Sequence, residues 1–200
     1  MPVAGHPRFY ALAGRSPAAN RALAIALWAV KTLAEAAAKA DALAQAGNER
    51  ELADLRRLWD QPLEDAARDA DFRARAVAFR AVGQFRFRQK IELLNRGLDD
   101  TSPACRGSAL ISLELLSRES PGPVNGVRPM LHRMASGDTN DAVRRLAIVC
   151  LGRTSPKSET ITLLAGMAED DRYERELREA AKKTSAALKK KADTQKDPHK

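Results

Sequence analysis

The sequence predicts an all-α protein built as an α-solenoid, a row of stacked helix-turn-helix units. Three observations predict it. One frame recurs as "DADFRARAVAFRAVG" at 69–83, "DTSPACRGSALISLE" at 100–114 and "DTNDAVRRLAIVCLG" at 138–152, and self-similarity at a spacing of roughly 20 to 50 residues marks a stacked array. No stretch alternates apolar and polar residues over more than a few positions, as a half-buried strand requires. Hydrophobic residues make up 44% of the 200, enough to bury a core, yet aromatics supply only 4%, which argues against a mixed sheet rich in Tyr, Phe and β-branched residues.

Taken in order, residues 1–18 form an irregular lead-in punctuated by Pro2, Gly5, Pro7, Gly14 and Pro17. Residues 19–46 are Ala-rich and predict one long helix, with Leu23, Leu27 and Val30 in a stripe beside Trp28, ended by "GN" at 47–48. A second helix runs from Glu49 to Trp59 on Leu52, Leu55, Leu58 and Trp59. Pro62 is expected to break or restart it, because proline removes a hydrogen bond inside a helix. Leu63, Ala66 and Ala67 then make a short helical turn leading to Asp69. Residues 19–68 are thus an Ala-rich helical segment or a divergent cap repeat.

The repeat columns begin at Asp69. With Arg75, Arg106 and Arg144 as anchors, Asp69, Asp100 and Asp138 stand six residues earlier. Asp71, Ser102 and Asn140 stand four earlier and are N-cap types, able to accept a bond from an orphan backbone N–H. Ala78, Ala109 and Ala147, then Phe79, Leu110 and Ile148, then Val82, Leu113 and Leu151 complete the frame as one apolar face. A second apolar helix follows each first one, at 88–98, 127–136 and 158–168. The anchors predict units at 69–99, 100–137 and 138–169. A weaker copy at 170–188 has Leu177, Arg178 and Ala181 in frame but Glu174 in the cap column and Ser185 in the last apolar column, the degeneration of a terminal cap. The second unit is the longest because "SRESPGPVNGVRP" at 117–129 inserts a loop between its helices. Residues 189–200 read as a basic disordered or frayed tail.

These columns resemble HEAT repeats, in particular the short, regular bacterial HEAT-like type, over residues 69–188. Upstream the match lapses: Arg21, Ala24 and Trp28 have the right offsets, but residue 15 is Arg where the frame wants Asp. The resemblance implies a right-handed superhelix in which Asp69, Arg75, Asp100, Arg106, Asp138 and Arg144 form a structural ladder. It also implies that the second helices line a concave binding face. The residues that would bind a partner there are Arg88, Lys90, Asn95, Arg96, Arg128, His132 and Arg133.

Charge points to an acidic partner. The chain carries 34 Lys and Arg against 26 Asp and Glu, a net +8. From Arg172 to Lys200 there are ten basic residues against five acidic ones, with Lys182, Lys183, Lys189, Lys190 and Lys191 clustered. That cluster suits an acidic surface or nucleic-acid phosphates, but no aromatic is interleaved for base stacking. Cys105 and Cys150 are too far apart for a disulfide framework or zinc site and read as buried small hydrophobes in a reducing compartment. No apolar run reaches the roughly 20 residues of a membrane span. "ALAIALWAV" at 22–30 imitates a secretory leader, but Lys31 and Glu35 interrupt it and the composition continues as helix. His6, His132 and His199 are scattered, and no metal-ligand spacing, phosphate loop or nucleophile frame is present. The expectation is a cytoplasmic, non-catalytic scaffold or adaptor without cofactor or membrane, docking an acidic segment of another protein on its concave face. The alternative is nucleic-acid backbone binding through the second-helix basic residues and the C-terminal lysines.

Overall fold

The structure, a computed structural model, describes residues 32–196. The lead-in, the Leu23/Leu27/Val30/Trp28 stripe, the leader-like segment, and His6 and His199 lie outside the described residues. Helix α1 (Leu33–Gln45) does not continue from residue 19 as expected: Thr32 is extended (φ −129°, ψ 154°) and closes a capping box with Glu35. The Thr32 hydroxyl accepts from Glu35 N at 3.2 Å and Thr32 N donates to the Glu35 carboxylate at 3.2 Å, satisfying two donors that would otherwise be orphaned. Gly47, at φ +69°, turns the chain into α2 (Glu49–Ala66). Here the structure corrects a second expectation, because α2 runs unbroken through Pro62. Leu52, Leu55 and Leu63 are all fully buried on one side of it, so packing on both sides of the proline outweighs one missing hydrogen bond.

Six helices follow in three units: α3 (Phe72–Gln84) and α4 (Ile91–Leu98), the latter entered by a 3₁₀ turn (Arg88–Lys90); α5 (Pro103–Leu116) and α7 (Arg128–Gly137); α8 (Asp141–Leu151) and α9 (Ser158–Glu169). The 117–129 insertion is not a bare loop. It contains the short helix α6 (Gly122–Gly126), pinned by fully buried Val124. The last helix, α10 (Arg175–Lys196), corrects the frayed tail: residues 189–196 are helical, and Leu188 just before them is fully buried. Asp71 and Asn140 cap α3 and α8 through their side chains. Ser102 occupies the same place without a side-chain bond, and Pro103 with its preset φ starts α5.

First helices α1, α3, α5, α8 and α10 pack on one another in chain order, and each second helix packs on the first helix of the next unit. Ala78, Ala109 and Ala147 are fully buried; their small side chains let neighbouring helices approach closely. The tightest crossing joins α3 to α5 at Gly83, where a Cβ would stand 2.7 Å from the Ser112 backbone. Gly83 N donates to Ser112 Oγ at 3.1 Å, and that hydroxyl donates to the Phe79 carbonyl at 2.6 Å. A buried hydroxyl is thus satisfied by the helix it touches.

The Asp and Arg columns join consecutive units. Arg75 grips Asp100 with Nε and Nη2 at 2.7 and 2.9 Å while Nη1 donates to the carbonyls of Asp69 and Ala70, both at 2.9 Å. Arg106 repeats the arrangement one unit on, with Asp138 at 2.7 Å from both nitrogens and the Asp100 and Thr101 carbonyls at 3.0 and 3.1 Å. Each Asp also accepts the backbone N–H two residues ahead, at Asp71, Ser102 and Asn140, within 2.9 Å. Arg144 departs from the pattern. It binds the Ser136 carbonyl at 3.1 Å and Asp141 at 2.9 Å and lies 4.7 Å over the Tyr173 ring, while Asp170 is held by Arg172.

Two measurements test this packing. Gly83→Ala should lower stability by about 2 kcal/mol through overpacking, read by urea denaturation, whereas Gly166→Ala, where a Cβ meets nothing within 4 Å, should raise it by about 0.5–1 kcal/mol. The Arg75 guanidinium, aided by Ser102 N–H and opposed by burial, holds the Asp100 carboxyl below the ordinary carboxylate range. A depressed folded-state value means stability present above the unfolded value and lost as pH falls through the folded one. Asp100→Asn should therefore lose less of its remaining stability than the parent as pH drops below about 4.

Candidate binding surfaces

The seven residues expected on the second-helix face divide sharply. Lys90 is only 7% exposed, with Nζ 2.6 Å from Glu64 and 3.0 Å from Asp60 on α2 and 5.4 Å above the Phe87 ring. Burial opposes its charge, yet the bonds to Glu64 and Asp60 outweigh that and raise its pKa, while Glu64 is lowered by the same contact. This lysine ties α2 to α4 and is not offered to a partner. Arg128 is 5% exposed; it donates to Thr160 Oγ1 at 3.1 Å and to Asn125 Oδ1 at 2.5 Å, and burial lowers its pKa. It joins α7 to α9 and to the inserted segment. The His132 side chain is 13% exposed, with Nε2 3.0 Å from Thr160 Oγ1 and Nδ1 3.5 Å from Glu159. Burial lowers its pKa against the pull of Glu159.

Of the other four, Arg88, Arg96 and Arg133 stay accessible, while Asn95 buries its Oδ1 without a hydrogen-bond partner. Asn95 is half-buried and donates weakly to Glu92 at 3.4 Å. Arg88 is exposed and pairs with Glu119 at 2.5 Å. Arg96 and Arg133 are exposed, and neither guanidinium makes a hydrogen bond or ion pair with another described residue.

On α10 the lysines separate by face. Lys182 and Lys183, with Lys189 and Lys190 two turns further on, are exposed on the side opposite buried Leu177, Ala181 and Leu188. Lys191 points elsewhere and donates to the Gly152 carbonyl at 2.7 Å, a cation at the C-terminal end of α8 where the helix dipole favours it.

Sequence reasoning missed one concave feature. A half-open hollow of about 450 Å³ lies among Ala44, Glu49, Arg56, Arg86, Arg88, Gln89 and Glu119, on the edge formed by the turns within units. Arg86 sits at φ +56°, the one non-glycine residue with positive φ among the described residues. It follows the α3 C-cap, with Phe87 N bonded to Val82 O and Arg86 N to Gly83 O, both at 3.0 Å, the arrangement in which glycine is usual. Gly47 takes the identical place after α1, with Asn48 N on Leu43 O and Gly47 N on Ala44 O. An L-residue there costs about 1–2 kcal/mol. In return, Arg86 Nη1 binds the Gly83 carbonyl at 2.7 Å, and Arg86 lines the hollow. Asp41 Oδ1 stands 2.9 Å from Arg86 Nη2 but lacks the alignment of a hydrogen bond. Arg56 donates to the Phe85 carbonyl at 2.6 Å and meets Glu49 at 3.4 Å. The signal available in the sequence was "RF" at 86–87 standing where "GN" stands at 47–48, legible only once the units are aligned by structure.

Burial pushes both thiols up, Cys105 and, further, Cys150, so neither is poised as a thiolate. Among the described residues no group of three or more His, Cys, Asp or Glu is placed to hold a metal ion, and no helix is long and apolar enough to cross a membrane. No family model matches the chain, and no curated protein matches it.

The His132 environment yields a direct measurement. Its imidazole should titrate by NMR with a midpoint below the ordinary 6.5, leaving the second-helix face without a histidine charge at neutral pH.

Proposed function

We propose that this protein is a non-catalytic docking module: a right-handed α-solenoid of HEAT-like units whose second-helix face engages an acidic segment of another protein. The observation that carries the reading is a contrast in how cations are used. Arg75 and Arg106 are consumed between units, and Lys90 and Arg128 are consumed between helices. Arg96 and Arg133, one unit apart on successive second helices, keep their guanidinium groups uncommitted. Arginine presents a planar fork of donors matched to a carboxylate, and concave faces of stacked repeats serve as extended binding surfaces. The two unpaired, buried cysteines favour a reducing, cytoplasmic setting.

A second reading rests on α10. Lys182, Lys183, Lys189 and Lys190 form an exposed cationic face without carboxylate partners among the described residues, and flexible ammonium groups suit nucleic-acid phosphates.

Arg96→Glu/Arg133→Glu should recover less than about a tenth of the partner that the parent chain captures from cell extract, a loss of more than about 1.4 kcal/mol. Undiminished capture sinks the second-helix face. If instead the parent shifts a DNA duplex at physiological ionic strength and charge reversal at the four α10 lysines abolishes that shift, the second reading replaces the first.

A further inference from the structure

We propose that the hollow between the turns of the first three units is a socket for a carboxylate-bearing stretch of the acidic partner, and that Glu119 is the internal carboxylate the partner displaces. The inference rests on the acidic-partner reading and says where a second part of that segment binds.

The lining decides the ligand chemistry. Three arginines, Arg56, Arg86 and Arg88, line a space whose one apolar lining residue is Ala44, so it offers little to an apolar ligand. Asp41 stands 2.9 Å from Arg86, while the two carboxylates at the rim are held loosely. Glu119 is 83% exposed on the segment leading into α6, and Glu49 meets Arg56 only at 3.4 Å. Exposed pairs of this kind are weak, so an incoming Asp or Glu can replace them one for one. Glu119 on Arg88 at 2.5 Å also shows directly that this guanidinium accepts a side-chain carboxylate. A nucleic-acid backbone fits poorly, because about 450 Å³ admits only a few side chains.

The backbone supplies an independent observation. At the place where the preceding unit uses Gly47, this unit carries an arginine in the left-handed region, and that arginine lines the hollow. Residues held in sparsely populated backbone regions cluster at ligand clamps. The site also continues the proposed face: Arg88 opens the 3₁₀ turn and Arg96 lies eight residues on in α4, about 12 Å along a helix. That separation corresponds to about four residues of extended chain, so one short segment reaches both arginines.

The test uses the full chain and a fluorescein-labelled deca-glutamate peptide, with binding read by anisotropy and folding by thermal unfolding of each variant. Arg86→Gly installs the residue this backbone favours while deleting the guanidinium. It should weaken binding about fivefold with an unchanged or raised unfolding midpoint. Glu119→Gln should tighten binding about threefold by removing the internal competitor. Unchanged binding by Arg86→Gly, weaker binding by Glu119→Gln, or displacement of the peptide by inorganic phosphate at equal charge overturns the socket. Arg96→Glu/Arg133→Glu separates the two readings. Loss there without loss in Arg86→Gly leaves the second-helix face and removes the socket, and the reverse pattern leaves the socket alone. No binding by the parent chain overturns both.

Discussion

A guanidinium group presents its donors in a rigid plane, and at Arg75 and Arg106 four hydrogen bonds use that plane in two directions at once. Backward, Nη1 gathers two carbonyls of the turn that introduces its own unit; forward, Nε and Nη2 close on the Asp that introduces the next. That Asp in turn accepts a backbone N–H of its own turn, so a single side chain fixes two turns and the offset between them. Apolar contact between Ala, Leu and Val columns is non-directional and tolerates sliding. The bidentate geometry does not, and so the rung sets the register in which the apolar columns meet, down to the close approach of Gly83 and Ser112.

Fixing one edge leaves the other free to vary. Three turns between units begin with Asp three residues before the helix, whereas turns within units include a glycine turn at Gly47, an arginine turn at Arg86 and an inserted helix at Gly122–Gly126. Each variant changes what is exposed without disturbing the rungs. The arginine hollow and the exposed Glu119 belong to this variable edge, and the buried tie of Arg128 to Thr160 and Asn125 shows that the insertion is braced by its neighbours.

What could be read in the sequence was whatever repeats. The columns from Asp to Val or Leu could be compared with copies of themselves, so Asp71, Ser102 and Asn140 stood out as helix starts and Ala78, Ala109 and Ala147 as helix contacts. Features present once were opaque. Pro62 looked like a break because Leu63 and its packing partners are not visible as contacts in a string of residues. Lys90 and Arg128 looked like free charge because Asp60, Glu64 and Thr160 lie 26 to 32 residues away. The hollow draws on residues from 44 to 119, and no local pattern joins them. The helical run to Lys196 was hidden by its charge, although Leu188 and the Lys191 bond to the Gly152 carbonyl hold it down.

The rungs give the row a direction, and the pattern lapses at Arg144. Both rungs reach toward the C-terminus, from Arg75 to Asp100 and from Arg106 to Asp138, each unit offering an arginine to the one after. At the fourth Asp that offer is refused: Arg172, two residues away, takes the Asp170 carboxylate, and Arg144 settles on the face of Tyr173 instead. The junction to α10 is therefore held without a rung, by apolar packing and by a cation over an aromatic ring.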